Sequence, residues 1–212
     1  AVYRLGVKTT LGPYLLPRIL PGIHAMHGDL KLYVREDAPD LLESNLERGD
    51  LDLILTGHPT NIAGLDGEPL LRESIRLVLP ADHPLARKDI LEGSDLAGTQ
   101  ILTTGEGHHL TRLVDQVAAR FGAEILRDYQ GTSLDALRLM VVMGMGLAFL
   151  PALYIHSEIR ADSSLVVRDI EGYSIARIVG LSWRKSAPGR VFYRKLAQDL
   201  RRVEGGVERL SR

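Results

Sequence analysis

The hydrophobic positions of residues 1–55 alternate between two spacings. Residues 3–8, 30–34 and 51–55 carry apolar side chains at every second position or in short runs, which is typical of β-strands. Residues 15–23 and 41–46 instead carry leucine and isoleucine at helical spacing. Strands joined by one helix and so few other residues predict β-α-β units with a parallel sheet.

Proline and glycine refine where these two helices begin and end. A first helix that begins near Tyr14 holds Pro17 in its first turn, where a missing N–H is tolerated, and is kinked at Pro21. Gly49 follows the last apolar position of the second helix, where glycine commonly ends a helix. The sequence therefore predicts two bounded helices on the first sheet.

The same alternation returns between residues 101 and 150, with predicted strands at 101–103, 125–129 and 147–150 and predicted helices at 110–121 and 134–141. Two long β-rich runs, residues 70–80 and 174–184, exceed the usual strand length of about 5–6 residues. Strands of that length are expected if the chain passes twice between two lobes. We therefore predict an α/β fold of two lobes with a ligand cleft between them.

The amino-acid composition argues against several classes of protein. Lys and Arg number 26 and Asp and Glu 27, for a net charge of −1, so the chain has no overall basic field for nucleic acid. No apolar run reaches the roughly 18–20 residues of a membrane span, and no signal peptide opens the chain, so we expect a soluble protein. The absence of cysteine is compatible with a cytoplasmic protein. With no cysteine, disulfides, zinc-thiolate sites and thiol chemistry are excluded. We expect no metal and no cofactor.

Polar residues follow four predicted strands, at the positions where ligands of α/β proteins bind. The candidates for binding a small molecule are Thr9, Thr10, Leu11, His58, His108, His109, Thr132 and Ser133. The alternative is structural, because threonine and serine commonly cap helices and histidines are often solvated. His108 and His109 are adjacent and diverge by about 100° on a helix, which disfavours one shared metal.

Catalytic and nucleotide-binding patterns are missing. The sequence contains no Gly-x-Ser-x-Gly, no phosphate loop and no dinucleotide fingerprint. Only His58, His108 and His109 could act as acid or base in a cleft. The sequence therefore favours a non-catalytic ligand cleft, and we expect no enzyme.

Six segments, in this order and spacing, resemble one family: residues 5–7, 10–17, 51–55, 78–85, 95–98 and 146–151. Together they resemble the effector-binding domain of LysR-type transcriptional regulators. The resemblance implies a type II periplasmic-binding-protein-like fold with two α/β lobes joined by two crossover strands. Lobe I would hold residues 1–71 and 174–203 and lobe II residues 72–173, followed by a flexible tail at 204–212. It also implies a winged helix-turn-helix domain that this chain lacks, through which the regulator would bind DNA.

Within that family the chain resembles the peroxide-sensing OxyR subgroup. Gly107-His108-His109 stands where the subgroup has Gly-His-Cys, the resolving cysteine has no counterpart, and the subgroup's threonine maps to Thr10. Thiol-based peroxide sensing is therefore excluded for this chain. We expect a small anionic or carboxylate-bearing effector instead, because helix N-termini and hydroxyls favour anions.

Two other functions remain open, namely a solute-binding protein of a transporter and a small α/β enzyme. A signal peptide encoded upstream would favour the transporter, and a helix-turn-helix region would favour the regulator. The family resemblance also implies a homodimer or tetramer. The apolar stripes that could serve as its interface are Leu16, Ile19 and Leu20 on one helix and Leu113, Val114 and Val117 on another.

Overall fold

The computed structural model describes residues 1–105, 109–129 and 133–204, with side chains described as far as residue 202. The chain divides into two compact units. The first unit contains Ala1–Glu73 and Ile178–Arg212, and the second contains Ser74–Arg177. In the described ranges, no helix has the length and apolar character needed to span a bilayer.

The first unit is built on a sheet whose first three strands are parallel. Its elements are β1 (Val2–Lys8), α1 (Gly12–Met26), β2 (Lys31–Asp37), α2 (Pro39–Arg48), β3 (Leu53–Gly57) and α6 (Arg190–Glu204). β1 lies between β2 and β3, with Val7 opposite Glu36 on one side and Leu55 on the other. The predicted parallel sheet is therefore confirmed, and the carboxyl ends of β1, β2 and β3 lie along one edge.

Helix α1 differs in detail from its prediction. It begins at Gly12 rather than near Tyr14, so Pro17 lies beyond the first turn and both Pro17 and Pro21 are inside the helix. Its buried face of leucine and isoleucine supports it despite the two missing N–H groups. α2 ends as predicted, at Gly49 with a left-handed φ of 85°.

The end of α1 is tied to α6 within the first unit. His27 Nε2 lies 2.8 Å from Asp199 Oδ2, and the His27 ring packs edge-on against Phe192. Lys195 Nζ also donates to Asp199 at 3.0 Å, and these contacts hold the pKa of this buried carboxyl below its usual value. α6 therefore covers the first sheet through aromatic packing and one buried carboxylate.

The second unit has its own set of parallel strands and helices. Its elements are β5 (Ile90–Leu91), β6 (Gln100–Leu102), α3 (His109–Phe121), β7 (Glu124–Leu126), α4 (Leu134–Val142), β8 (Leu147–Pro151), α5 (Ala152–Tyr154) and β9 (Leu165–Ile170). β6 is parallel to both β7 and β8, and α5 continues into a π-helical turn over Ile155–Ile159. β7 is shorter than the predicted strand 125–129.

Two strands carry the chain across the unit boundary. β4 (Leu65–Pro80) has 16 residues and contains the first boundary, and β10 (Ile175–Arg184) has 10 and contains the second. Glu73 and Arg177 are the last residues before the two boundaries. Both are buried and make interactions within the protein. The long β-rich runs of the sequence are thus the crossover strands of a type II periplasmic-binding-protein-like fold.

The apolar stripes expected at a subunit interface mostly lie in the core of their own unit. Leu16, Ile19, Val114 and Val117 are 8, 3, 2 and 0% exposed, and only Leu20 and Leu113 are partly exposed. Exposed apolar side chains lie elsewhere, among them Leu139, Val142 and Met143. The predicted tail begins one residue too early, since α6 includes Glu204, and residues 205–212 lie outside the described residues.

Candidate functional site

The turn that joins β1 to α1 holds three of the predicted site residues. Thr10 and Leu11 are 2 and 0% exposed, and Thr9 is half-buried. Leu11 is the N-cap of α1, and no side chain there accepts from the helix. Its carbonyl accepts from the N–H groups of Tyr14 and Leu15 at 3.1 and 2.9 Å. The alternative that a threonine caps this helix is therefore wrong.

Thr9 carries an unsatisfied hydroxyl. Its Oγ1 is buried and has no hydrogen-bond partner in the described part of the chain. A buried hydroxyl without a partner costs about 1–3 kcal/mol, so such a group usually serves a ligand or an ordered water. Thr10 differs, because its side chain is engaged within the protein.

Charges of both signs surround the start of α1. Lys8, the last residue of β1, is 1% exposed and engaged within the structure. Glu36 is exposed at the end of β2, and a β-carbon placed on Gly12 would lie 2.8 Å from its Oε1. The positive end of α1 favours this carboxylate. An anion bound at the start of α1 would therefore lie close to the negative charge of Glu36.

Glu36 is the functional candidate that sequence reasoning missed. The signal was available, because the parallel pairing of β1 with β2 places Glu36 opposite Val7 and Asp37 opposite Lys8. The turn after β1 carries hydroxyl groups as its only polar side chains, and the neighbouring strand end supplies its acidic group.

His58 follows β3 at the same edge of the first sheet. Its Nδ1 is buried without a hydrogen-bond partner among the described residues, and its backbone N–H donates to Ile178 O at 2.9 Å. Burial lowers the pKa of the ring, an effect that Glu68 partly opposes. A neutral imidazole with an unpaired Nδ1 can donate or accept one hydrogen bond.

The second unit contains the remaining described candidates, His109 and Ser133. His109 opens α3, is half-buried, and has its Nδ1 3.3 Å from Arg112 Nη2. Ser133 is exposed and is the N-cap of α4, where its Oγ accepts from the N–H of Ala136 at 3.1 Å. The structural alternative thus holds for Ser133. His108 and Thr132 lie outside the described residues.

Buried threonines hold the segment before α3, and sequence reasoning missed them too. The hydroxyls of Thr104 and Thr111 lie 3.0 Å apart, and Thr111 donates to the carbonyl of Gly105 at 2.9 Å. Thr103 is 4% exposed, and its Oγ1 has no partner within the described ranges. Only the tertiary structure shows which of these hydroxyls is paired.

The described candidates thus form two groups, each within its own unit. Thr9, Thr10, Leu11 and His58 follow adjacent parallel strands of the first sheet. His109 and Ser133 follow the parallel strands β6 and β7 of the second unit. Among the residues that the structure describes, no three His, Asp or Glu side chains converge as a metal site would require.

Comparison with known proteins identifies the family. The model of the LysR substrate binding domain matches residues 2–204. The "DNA-binding transcriptional dual regulator OxyR" of Escherichia coli K12 is 31% identical over 207 residues, 97% of this chain and 68% of that protein. A "probable hydrogen peroxide-inducible genes activator" of Mycobacterium avium is 32% identical over 195 residues, 92% of this chain and 62% of that protein.

Solved structures agree with these sequence matches. The crystal structure of the oxidized form of OxyR superposes with a TM-score of 0.86 at 32% identity and covers 97% of each chain. The reduced OxyR regulatory domain from Pseudomonas aeruginosa gives 0.82 at 29%, over 94% of this chain and 96% of that one. The chain therefore belongs to the LysR family, as a substrate-binding domain homologous to the regulatory domain of OxyR.

Proposed function

We propose that this chain is the effector-sensing regulatory domain of a LysR-type transcriptional regulator that acts in the cytoplasm. Its membership of the family supports this, as do relatives whose names describe transcriptional regulators rather than enzymes. DNA would be bound through a winged helix-turn-helix domain outside this chain, in keeping with the net charge of −1. The regulator would work as a homodimer or tetramer.

We further propose that the effector binds in a non-catalytic cleft between two lobes, residues 1–71 with 174–203 and residues 72–173. The residues proposed to line it are Thr9, Thr10, Leu11, His58, His108, His109, Thr132 and Ser133. The polar groups at the strand ends of each unit support this assignment, because ligands of open α/β sheets bind at the carboxyl ends of strands.

The effector we propose is a small anion such as a carboxylate. The observation that carries this is the start of α1, where the buried Thr9 hydroxyl has no partner among the described residues and no N-cap side chain satisfies the helix. The positive end of α1 favours an anion beside that hydroxyl. Peroxide sensing by a thiol is excluded, since the chain has no cysteine.

Calorimetric titration with acetate, succinate and citrate at several pH values tests this function, with acetamide as the uncharged control. If a protonated His109 helps to hold the anion, affinity is highest below the titration range of the ring and weakens as pH rises through it. His109→Ala should abolish that pH dependence. Tight, pH-independent binding of the uncharged compound would overturn the proposal.

Glu36 provides a sharper test of whether the ligand is negatively charged. Its carboxylate lies at the start of α1 and repels a second negative charge, so Glu36→Gln should tighten carboxylate binding several-fold. Glu43→Gln, on α2 of the same unit, is a matched control that should leave affinity unchanged. Weaker carboxylate binding by Glu36→Gln would show that the ligand presents a cation or a hydrogen-bond donor instead.

A further inference from the structure

The sulfur of this chain is concentrated at the end of one helix. The chain has no cysteine and four methionines, and three of these, Met140, Met143 and Met145, fall within six consecutive residues at the end of α4. The single tryptophan, Trp183, is only 1% exposed. Thioethers are therefore the sulfur groups that a solvent-borne oxidant meets.

Two of these thioethers stand outside the core. Met143 is the C-cap residue of α4 and is 73% exposed, and Met145 is 46% exposed. Leu139 and Val142, 51 and 39% exposed, lie on the same stretch. We call these four residues the α4 patch. Met145 also lines a cavity of about 380 Å³ in the second unit.

The fold of α4 does not depend on these two side chains. Its core face consists of Leu134, Leu137 and Val141, all buried. Arg138 Nε donates to the hydroxyl of the buried Tyr154 at 3.1 Å, which also anchors the helix. Added polarity at Met143 and Met145 therefore changes the surface and leaves the packing intact.

We propose that Met143 and Met145 form a site of reversible oxidation by a two-electron oxidant, hydrogen peroxide or hypochlorous acid, which switches the α4 patch from apolar to polar. With peroxide, a sulfur lone pair attacks one oxygen, an S–O bond forms and the O–O bond breaks. The sulfur-bound hydroxyl then gives its proton to the leaving hydroxide, so the products are sulfoxide and water. With hypochlorous acid, sulfur takes the chlorine and releases hydroxide. Water then displaces chloride from sulfur and loses two protons, one of which neutralises the hydroxide, so the net products are sulfoxide, chloride and one proton. Methionine sulfoxide is polar, and sulfoxide reductases restore the thioether.

Peptide mapping by mass spectrometry tests the site itself. The 212-residue chain is titrated with each oxidant in separate arms, and Met26, which is 44% exposed and distant in sequence, is the internal reference. Met143, the more exposed of the pair at 73%, should gain one oxygen at doses that leave Met26 largely unmodified, Met145 should gain one no later than Met26, and reductases should remove both. The arm that needs the smaller excess identifies the oxidant. Oxidation of Met26 before Met143 and Met145 in both arms would overturn the proposal.

Variants test the change of surface. Binding of the apolar dye anilinonaphthalene sulfonate should be lost when the wild type is oxidised, and should survive oxidant in M143L/M145L, which stays apolar. M143Q/M145Q should lack the dye signal without oxidant, and M26L should respond like the wild type. Equal loss of signal in M143L/M145L, or an unchanged signal in fully oxidised wild type, would refute the switch. These readouts use no carboxylate, so their failure is separate from failure of the proposed effector.

Discussion

Helices α1 and α4 begin in ways that look alike in the sequence and differ in the structure. Each follows a strand and is preceded by hydroxyl residues. At α4, Ser133 is the N-cap, its Oγ accepts from Ala136, and its own N–H donates to the hydroxyl of Tyr129 at 3.0 Å. At α1 the N-cap is Leu11, which offers no side-chain acceptor, and the Thr9 hydroxyl is buried with no partner in the part of the chain that the structure describes.

The difference separates a structural hydroxyl from one that is available to a ligand. Serine at an N-cap contributes about 1 kcal/mol to stability and needs no ligand to explain it. An unpaired buried hydroxyl lowers stability, so it is available to a ligand or an ordered water. The N-cap position of α1 is completely buried and is occupied by Leu11, which cannot cap the helix with its side chain. The N-cap position of α4 is exposed and is occupied by Ser133, which can.

The largest effect we expect is a loss of stability when the side chain of Leu11, the N-cap residue of α1, is removed. Leu11→Ala should lower the free energy of unfolding by about 2–5 kcal/mol, because a fully buried leucine leaves a cavity. Leu11→Ser should lose slightly less, since a new cap restores about 1 kcal/mol. Urea denaturation measures both, with Leu20→Ala on the same helix as the partly exposed control. A loss at Leu11 no greater than at Leu20 would contradict our account of this junction.

The next effect concerns affinity rather than stability. Thr9→Val removes the unpaired hydroxyl and keeps the shape of the side chain, so unfolding free energy should stay constant or rise. Carboxylate affinity should fall at least about tenfold, the loss expected for one hydrogen bond to a charged group. Calorimetry on the variant measures this.

Thr104→Val is the matched control for Thr9→Val, because its hydroxyl is buried but paired with Thr111. This variant should lose roughly 1 kcal/mol of stability and bind the carboxylate as the wild type does. Wild-type carboxylate affinity in Thr9→Val would refute the assignment of this hydroxyl to the effector.

The order of strands and helices could be predicted from the sequence because burial imposes periodicity. The parallel pairing of β1 with β2, the end of α2 at Gly49 and the two long crossover strands followed from spacing and strand length. The start of α1 could not be predicted to the residue, because a buried face holds the helix together across Pro17 and Pro21.

The candidate site was less predictable, because pairing of polar groups is a tertiary property. Thr9 and Ser133 carry the same functional group in similar positions, and only the surrounding structure leaves one unpaired and satisfies the other. Glu36 reaches the start of α1 from the next strand, 24 residues along the chain from Gly12 (36 − 12). Residues close in sequence to the start of α1 therefore give no indication of Glu36.

The smallest effect we expect separates the two roles proposed for Ser133. Ser133→Ala removes the acceptor of the Ala136 N–H and should lower unfolding free energy by about 1 kcal/mol. Ser133→Asp should keep stability near the wild-type value, because aspartate caps equally well and its charge suits a helix N-terminus. If Ser133 also contacts the anionic effector, the added charge should weaken carboxylate binding in Ser133→Asp while the fold stays intact. Thermal unfolding and calorimetry on the same two variants measure these quantities independently. Wild-type carboxylate affinity in Ser133→Asp would remove Ser133 from the site and leave it a helix cap.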